Sequence, residues 1–317
     1  MEGVFVSQQR ILITDLDLGD TNLERELVSR HLDAELVVRE CRTEADVLDA
    51  VHESHPVAII TQWAPVTGAV MDAAPGCRVI SRVGIGLDMI DLEAAAARGI
   101  PVKNVPHYCI EEVAMHAVAM GFSLWRHLPA LDASLRGGEW DAASWAPLVK
   151  LLSDSTIGLV GMGRIGRIVA DAYAQWGATV LVHDPVKGED PFERVDLVEL
   201  TRRSDLITLH APLTAKTHHL IDASMLDSAE QAPIVVNVSR GGLVDTAALA
   251  SALAQGQVSA AGLDVFESEP LSIDDPIRSA PNTIITPHAA WCSAAALPAL
   301  RQGAVMNVVE VLTRSRS

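Results

Sequence analysis

Aromatic side chains are scarce in this 317-residue chain, at 4% of it. A core short of rings must be filled by Ala, Val, Leu and Ile, a mix that suits parallel strands covered by helices. Cysteine is sparse as well. Cys41, Cys77, Cys109 and Cys292 stand alone, none in a Cys-x-x-Cys pair, so they read as reduced thiols. Basic charge is short: 24 Lys and Arg face 41 Asp and Glu, for a net charge of -17. Such an acidic surface repels a phosphate backbone, and no direct nucleic-acid partner is expected. No run approaches the ~20 apolar residues of a membrane span. The opening MEGVFVSQQR lacks the basic head, apolar run and cleavage site of a secretory signal. The expectation is a cytoplasmic protein with no membrane partner. No His-Glu-x-x-His set occurs, and the adjacent His218 and His219 are not expected to turn both rings to one side of a strand or helix, so no metal site is expected.

What is present is globular: 49% apolar and 21% charged residues, over a length that favours two domains. Short apolar runs alternate with amphipathic stretches. In the first hundred residues, strands are predicted at 11–14, 34–39, 57–61, 79–83 and 102–104, with helices at 23–31, 45–51, 66–73 and 92–97. This alternation predicts an open, mostly parallel α/β sheet with helices on both faces. Residues 110–128 form a long apolar segment in which Ile110, Val113, Ala114, Ala117, Gly121, Leu124 and Trp125 fall at helical spacing. Val118, Met120 and Phe122 make it apolar nearly all round, which predicts burial on more than one side. Residues 129–155 read as a connecting or dimer-contact segment. A second series follows, with strands at 156–160, 179–183, 205–210, 234–237, 260–264 and 283–286, and a last helix at 294–312.

The second series opens on Gly161-x-Gly163-x-x-Gly166. The pattern follows an apolar strand and starts a helix on which Ile165, Ile168, Val169, Ala172 and Trp176 are predicted to share a face. The next strand ends in Asp184, 18 residues after Gly166. This is the spacing of a dinucleotide-binding βαβ unit. Gly161 permits a tight turn, Gly163 lets backbone approach the pyrophosphate, and Gly166 lets helix pack on strand. Arg164 and Ile165 sit in the same loop, where the helix N-terminus offers donors to phosphate. Asp184 is placed to accept from the ribose hydroxyls and to repel a 2′-phosphate, so NAD is expected rather than NADP.

Three further segments each follow a predicted strand, where ligands bind in open α/β sheets. They carry Arg240 before Gly241-Gly242, Glu269 before Pro270, and His288 after Pro287. Reduction of a 2-oxo acid needs a cation for the carboxylate and carbonyl, which Arg240 offers as a bidentate fork. It needs an acid for the carbonyl oxygen, a task suited to an imidazole, which His288 offers. It needs a carboxylate to orient that imidazole, and Glu269 supplies one.

These motifs, in this order and spacing, resemble the D-isomer-specific 2-hydroxyacid dehydrogenase family from about Ile11 to Leu312. The resemblance implies that Arg240, Glu269 and His288 are the catalytic triad of an NAD-dependent reductase acting on the CH–OH group. It implies that Asp264 and the segment Asn237, Val238 and Ser239 line the nicotinamide side, and that Ala211 and Pro212 lie near the adenosine. Cys109 falls near the cofactor phosphates or nicotinamide, where relatives carry a small hydroxyl or amide residue. The loop Val83, Gly84, Ile85 resembles the substrate-carboxylate loop, with Ile85 adding bulk. The implied architecture is two doubly wound parallel-sheet domains with a cleft between them. A flavodoxin-like substrate domain would comprise 1–107 and 291–317, and a Rossmann NAD domain 108–290. Family members are usually homodimers joined near 110–150. Within the family, the residues around His218, Glu267 and Trp291 look similar to the C-terminal-binding-protein-like branch, which includes NAD-sensing corepressors. Trp291 is then expected to wall a pocket for a 2-oxo acid with an apolar, thioether or aromatic tail. The alternatives are a corepressor-like binding protein, or a dehydrogenase of phosphoglycerate or phosphonate type. The short tail after the last helix argues against the allosterically controlled phosphoglycerate enzyme.

Overall fold

Runs such as Ile11-Leu12-Ile13 and Ile59-Ile60 are at most 1% exposed. Strands buried on both faces carry continuous apolar stretches, and here they build two separate parallel sheets. The computed structural model describes residues 8–186 and 188–314. The expectation about a signal segment falls largely on residues 1–7, outside the described residues.

In chain order the first elements are β1 (Gln9–Ile13), α1 (Asn22–His31), β2 (Ala34–Val38), α2 (Glu44–Ser54), β3 (Ala58–Thr61), α3 (Gly68–Ala73), β4 (Ile80–Arg82), α4 (Leu92–Ala97) and β5 (Val102–Lys103). Then come α5 (Ile110–Trp125), α6 (Leu128–Arg136), β6 (Thr156–Val160), α7 (Arg164–Gln175), β7 (Thr179–His183), β8 (Glu193–Arg194), α8 (Leu197–Arg203) and β9 (Leu206–Leu209). The chain closes with α9 (Ala223–Asp227), β10 (Ile234–Asn237), α10 (Thr246–Gln255), β11 (Ala260–Leu263), β12 (Thr283–Ile285) and α11 (Ala296–Arg314). It divides into two compact units, Met1–Cys109 with Ser293–Ser317, and Ile110–Cys292.

The first unit has strand order β2-β1-β3-β4-β5, all pairs parallel. Local chemistry sets its helices: α2 starts in a capping box, Thr43 Oγ1 accepting from Asp46 N–H and Asp46 Oδ2 from Thr43 N–H. The returning helix α11 docks beside β4, where Ser81 Oγ donates to Ala304 O at 2.8 Å. Arg301 of α11 pairs with the buried Glu24 of α1 at 2.6 Å.

The second unit has order β12-β11-β10-β9-β6-β7-β8, again parallel. Sheet growth reverses between β6 and β9, which makes their carboxyl ends the switch point at which ligands bind such sheets. Among the described residues no helix is long and apolar enough to cross a membrane.

Four expectations are corrected here. The helix predicted over 110–128 ends at Trp125, because His127 takes the left-handed conformation at φ 51°. The supposed connector begins with a helix of its own, α6. Pro129 lies in its first turn, where a missing N–H costs nothing, so it starts a helix rather than breaking one. Within one chain α5 is buried along a single side, and Met115 is 65% exposed. On α7 the buried residues are Gly166, Val169, Ala170 and Tyr173, while Ile168 and Trp176 are 43% and 68% exposed. Close approach selects that face. A Cβ at Gly166 would lie 2.1 Å from Gly161 O, and one at Gly121 of α5 would lie 2.0 Å from Tyr173 Oη. Gly166 faces the contact with Val169, Ala170 and Tyr173 beside it, and Ile168 and Trp176 turn outward.

Candidate active site

The turn after β6 has the geometry its glycines require. Gly161 sits at φ +94°, and a Cβ there would meet His210 O at 2.6 Å, so no side chain fits. Gly163 caps α7 with no side-chain partner, and a Cβ on it would meet nothing within 4 Å. That open space lies at the N-terminus of a 12-residue helix, where N–H groups and the dipole favour an anion. Asp184, at the end of β7, accepts from Met162 N–H through Oδ2 at 2.6 Å and from Val186 N–H through Oδ1 at 2.7 Å. The carboxylate therefore steadies the glycine loop and keeps lone pairs for a diol. The residues fit a dinucleotide: a pyrophosphate over Gly163 and a ribose at Asp184.

Asn237 shapes the turn after β10. Its amide donates to Arg240 O at 2.8 Å and accepts from Ser239 N–H at 3.1 Å, while Ser239 Oγ donates to Leu209 O at 2.7 Å. Arg240 follows in an extended conformation at φ -145° and donates from Nη1 to Ser239 O at 2.7 Å. The next residue must be glycine, since a Cβ on Gly241 would lie 1.9 Å from the Phe266 carbonyl carbon. This contact presses the arginine turn onto the turn after β11.

That second turn presents Glu269. Its Oε1 accepts from Phe266 N–H at 2.9 Å, and its Oε2 receives His288 Nδ1 at 2.7 Å. Burial pushes the Glu269 carboxyl up. The His288 hydrogen bond and charge, the Phe266 N–H and the Arg240 charge outweigh it and hold the group below its ordinary value. With Nδ1 donating to the carboxylate, Nε2 is the nitrogen left to exchange a proton.

His288 is held in a left-handed conformation at φ 52°, uncommon for a residue with a side chain. Asp264 secures it. His288 N–H donates to Asp264 O at 2.8 Å, and the Asp264 carboxylate accepts from Ala289 N–H and Ala290 N–H, each at 2.8 Å, and from Thr286 Oγ1. Asp264 is fully buried. Its carboxylate thus holds the turn that carries the histidine.

Residues 118–290 match the D-isomer specific 2-hydroxyacid dehydrogenase, NAD binding domain, as a family. The chain belongs to that family. It is 40% identical over 247 residues to a D-3-phosphoglycerate dehydrogenase of Mycobacterium tuberculosis, covering 76% of this chain and 46% of that one. It is 35% identical over 295 residues to the hydroxypyruvate reductase of Thermotoga maritima, covering 89% and 92%. A solved D-lactate dehydrogenase from Aquifex aeolicus, complexed with NAD and lactic acid, shares 29% identity over 96% of each chain at a TM-score of 0.86. The chain spans about half the length of the mycobacterial relative. These likenesses show the family and its NAD cofactor. They do not single out the C-terminal-binding-protein-like branch.

Arg240, Glu269 and His288 of this 2-hydroxyacid dehydrogenase family member thus share one unit, with Glu269 and His288 in contact and the Arg240 charge acting on Glu269. Val238 is buried, and Ala211 and Pro212 follow β9 next to the glycine turn. Trp291 is half-buried in the same unit. Cys109 is 2% exposed and ends the first part of the other unit. Val83, Gly84 and Ile85 follow β4 in that unit, where Gly84 O accepts from Val105 N–H at 2.9 Å and Ile85 O from the Asn104 amide at 2.6 Å.

One residue of the site escaped the sequence reading. His116 Nε2 lies 3.1 Å from Thr286 Oγ1. That hydroxyl gives its proton to Asp264, so His116 is the donor to it and carries its proton on Nε2. The available signal was a lone histidine inside the apolar segment 110–128. His218 and His219 also correct an expectation: their rings stack, centroids 4.0 Å apart. His219 has φ 50°, so the pair lies on neither a strand nor a helix, and the strand or helix geometry assumed for adjacent residues does not apply.

Asp184 carries a prediction. Asp184→Ala lowers the ratio of kcat/KM for NADH over NADPH by about tenfold, the equivalent of one charge-assisted hydrogen bond. Steady-state rates with both cofactors check this, and a native enzyme already favouring NADPH would overturn the role of Asp184.

Proposed function

We propose that the protein reduces 2-oxo acids to D-2-hydroxy acids, and oxidises them in reverse, with NAD as cofactor. The observation that carries this reading is the His288–Glu269 pair at 2.7 Å, within the reach of the Arg240 charge and in the same unit as the glycine turn. In this reading, hydride for C2 is what the nicotinamide supplies when bound. The Arg240 fork grips the substrate carboxylate and polarises the carbonyl. His288 Nε2 gives its proton to the carbonyl oxygen and takes it back in the oxidative direction. Glu269 keeps the imidazole oriented. Asp264, Val238, Ser239, Ala211 and Pro212 border the cofactor. The unit carrying Val83, Gly84 and Ile85 serves as the substrate domain. Trp291 walls the pocket and favours an apolar, thioether or aromatic tail.

The test is NADH oxidation, followed by absorbance, over glyoxylate, pyruvate, 4-methylthio-2-oxobutyrate, phenylpyruvate, 3-phosphohydroxypyruvate and phosphonopyruvate. Fast turnover of a member with an apolar, thioether or aromatic tail supports the reading. Turnover confined to a phosphorylated or phosphonate member would replace the Trp291 assignment, and NADH binding with no turnover of any member would overturn the enzymatic one.

Glu269→Gln gives a separate check. The folded carboxyl lies below its ordinary value, so the His288–Glu269 pair adds stability above an unfolded value of about 4.3. That contribution is lost as pH falls through the lower folded value. The variant should lack this part of the acid destabilisation, read as melting temperature between neutral and acidic pH, and should lose about 10- to 100-fold in kcat. Wild-type behaviour on both counts removes the role of Glu269.

We also place the protein in the cytoplasm as a homodimer. The support for the dimer is a series of exposed apolar side chains on α5 and the segment after it: Met115, Leu128, Leu135, Trp140, Leu148 and Leu151 are 52–91% exposed. Patches of this kind mark interaction surfaces, and a monomer in sedimentation would count against it.

A further inference from the structure

Three side chains outside the catalytic set converge at the turn after β9. Ring nitrogens of His218 and His219 and a carboxylate oxygen of Glu267 all lie within 4.8 Å of one another. The left-handed His219 reverses the chain, and the two imidazoles stack at 4.0 Å with 27° between their planes.

The cluster is anchored rather than loose. His219 Nε2 lies 2.8 Å from Glu267 Oε2, and the other Glu267 oxygen accepts from Thr246 N–H at the start of α10, at 2.9 Å. His218 N–H donates to Thr214 O at 2.9 Å and His219 N–H to Gly242 O at 2.8 Å. The Thr246 N–H on Glu267 is the kind of outer-shell hydrogen bond that orients a ligating carboxylate, and an ion would take the place of the proton shared between His219 Nε2 and Glu267 Oε2. Imidazole nitrogens with one carboxylate suit zinc, and three protein ligands leave a fourth position to solvent. Ligand atoms around a tetrahedral zinc lie about 3.3 Å apart, so separations of up to 4.8 Å close by up to about 1.5 Å while the 2.8 Å His219–Glu267 contact opens by about 0.5 Å. His218 and Glu267 are exposed and have room to turn. A chain carrying a net charge of -17 also draws cations to its surface.

We propose that His218, His219 and Glu267 form a binding site for a divalent first-row transition metal of zinc type. The ion would join the turn after β9 to the turn after β11, two residues before Glu269. The expectation of no metal site, drawn from the adjacency of the two histidines, is revised accordingly.

The test uses chelator-treated full-length protein at neutral pH. Zn²⁺ is titrated by calorimetry and Co²⁺ by visible absorption, on the wild type, His218→Ala, Glu267→Gln and Cys292→Ser. Glu267→Gln keeps the oxygen that Thr246 holds, and melting curves without metal verify folding. The expected result is one ion per chain, weakened more than tenfold in His218→Ala and in Glu267→Gln, with Cys292→Ser unchanged. No binding by the wild type, equal affinity in the first two variants, or loss of binding in Cys292→Ser alone would overturn the proposal.

Discussion

Replacing His288 with Asn lowers kcat for 2-oxo acid reduction by about 10²- to 10⁴-fold, the range over which a positioned general acid acts. Asn is the informative substitution because the residue sits at φ 52°, which Asn tolerates better than other side chains. The backbone bonds of this turn to Asp264 O and from Ala289 and Ala290 remain available. The Asn amide can still meet Glu269, so the carboxylate keeps a partner. What disappears is the imidazole Nε2 that passes the proton to the carbonyl oxygen. Binding of NADH, followed by its fluorescence, should stay within a few-fold of wild type, since the glycine turn and Asp184 are untouched. The separation of the two readouts is the discriminating feature. A kcat within tenfold of wild type would remove His288 as the proton donor. A matching loss of NADH affinity would make its role structural.

The parts of the protein legible in the sequence are those whose chemistry is local. Gly161 and Gly166 were legible because a turn and a close contact each forbid a side chain, and the structure shows both clashes. The strands were legible because a strand buried on both faces must be apolar along its length. The grouping of Arg240, Glu269 and His288 in one unit was legible only from the three together, since each singly has an ordinary structural reading. What escaped depended on contacts distant in sequence. The inward face of α7 is set in part by Gly121 of α5, where a Cβ would meet Tyr173 Oη. The role of Asp264 depends on the turn at 286–290, more than 20 residues on. His116 reaches Thr286 across 170 residues. The His218–His219 stack depends on a single left-handed residue, and no periodicity announces a positive φ on histidine.

Arg240→Ala should produce the second large loss, and Arg240→Lys explains its origin. Two charge-assisted hydrogen bonds from a planar fork are worth about 3–6 kcal/mol, and each 1.36 kcal/mol is tenfold. Removing the fork therefore costs about 10²- to 10⁴-fold in kcat/KM for the oxo acid. Lysine restores a point charge without the second parallel bond, so Arg240→Lys should recover part of the loss and leave at least about tenfold. The two variants also act on Glu269, because the Arg240 charge is among the influences holding that carboxyl low. In Arg240→Ala the folded value moves up toward the ordinary one. The stabilising part of the pair then disappears at a higher pH on acidification, and Arg240→Lys should restore most of it, since this effect needs only charge. Steady-state kinetics read the fork, and melting temperature against pH reads the charge. If lysine restores catalysis fully, a point charge suffices and the bidentate role of Arg240 fails. If neither variant changes kcat/KM, the substrate carboxylate is held elsewhere, and the backbone turn at Val83, Gly84 and Ile85 becomes the group to test next.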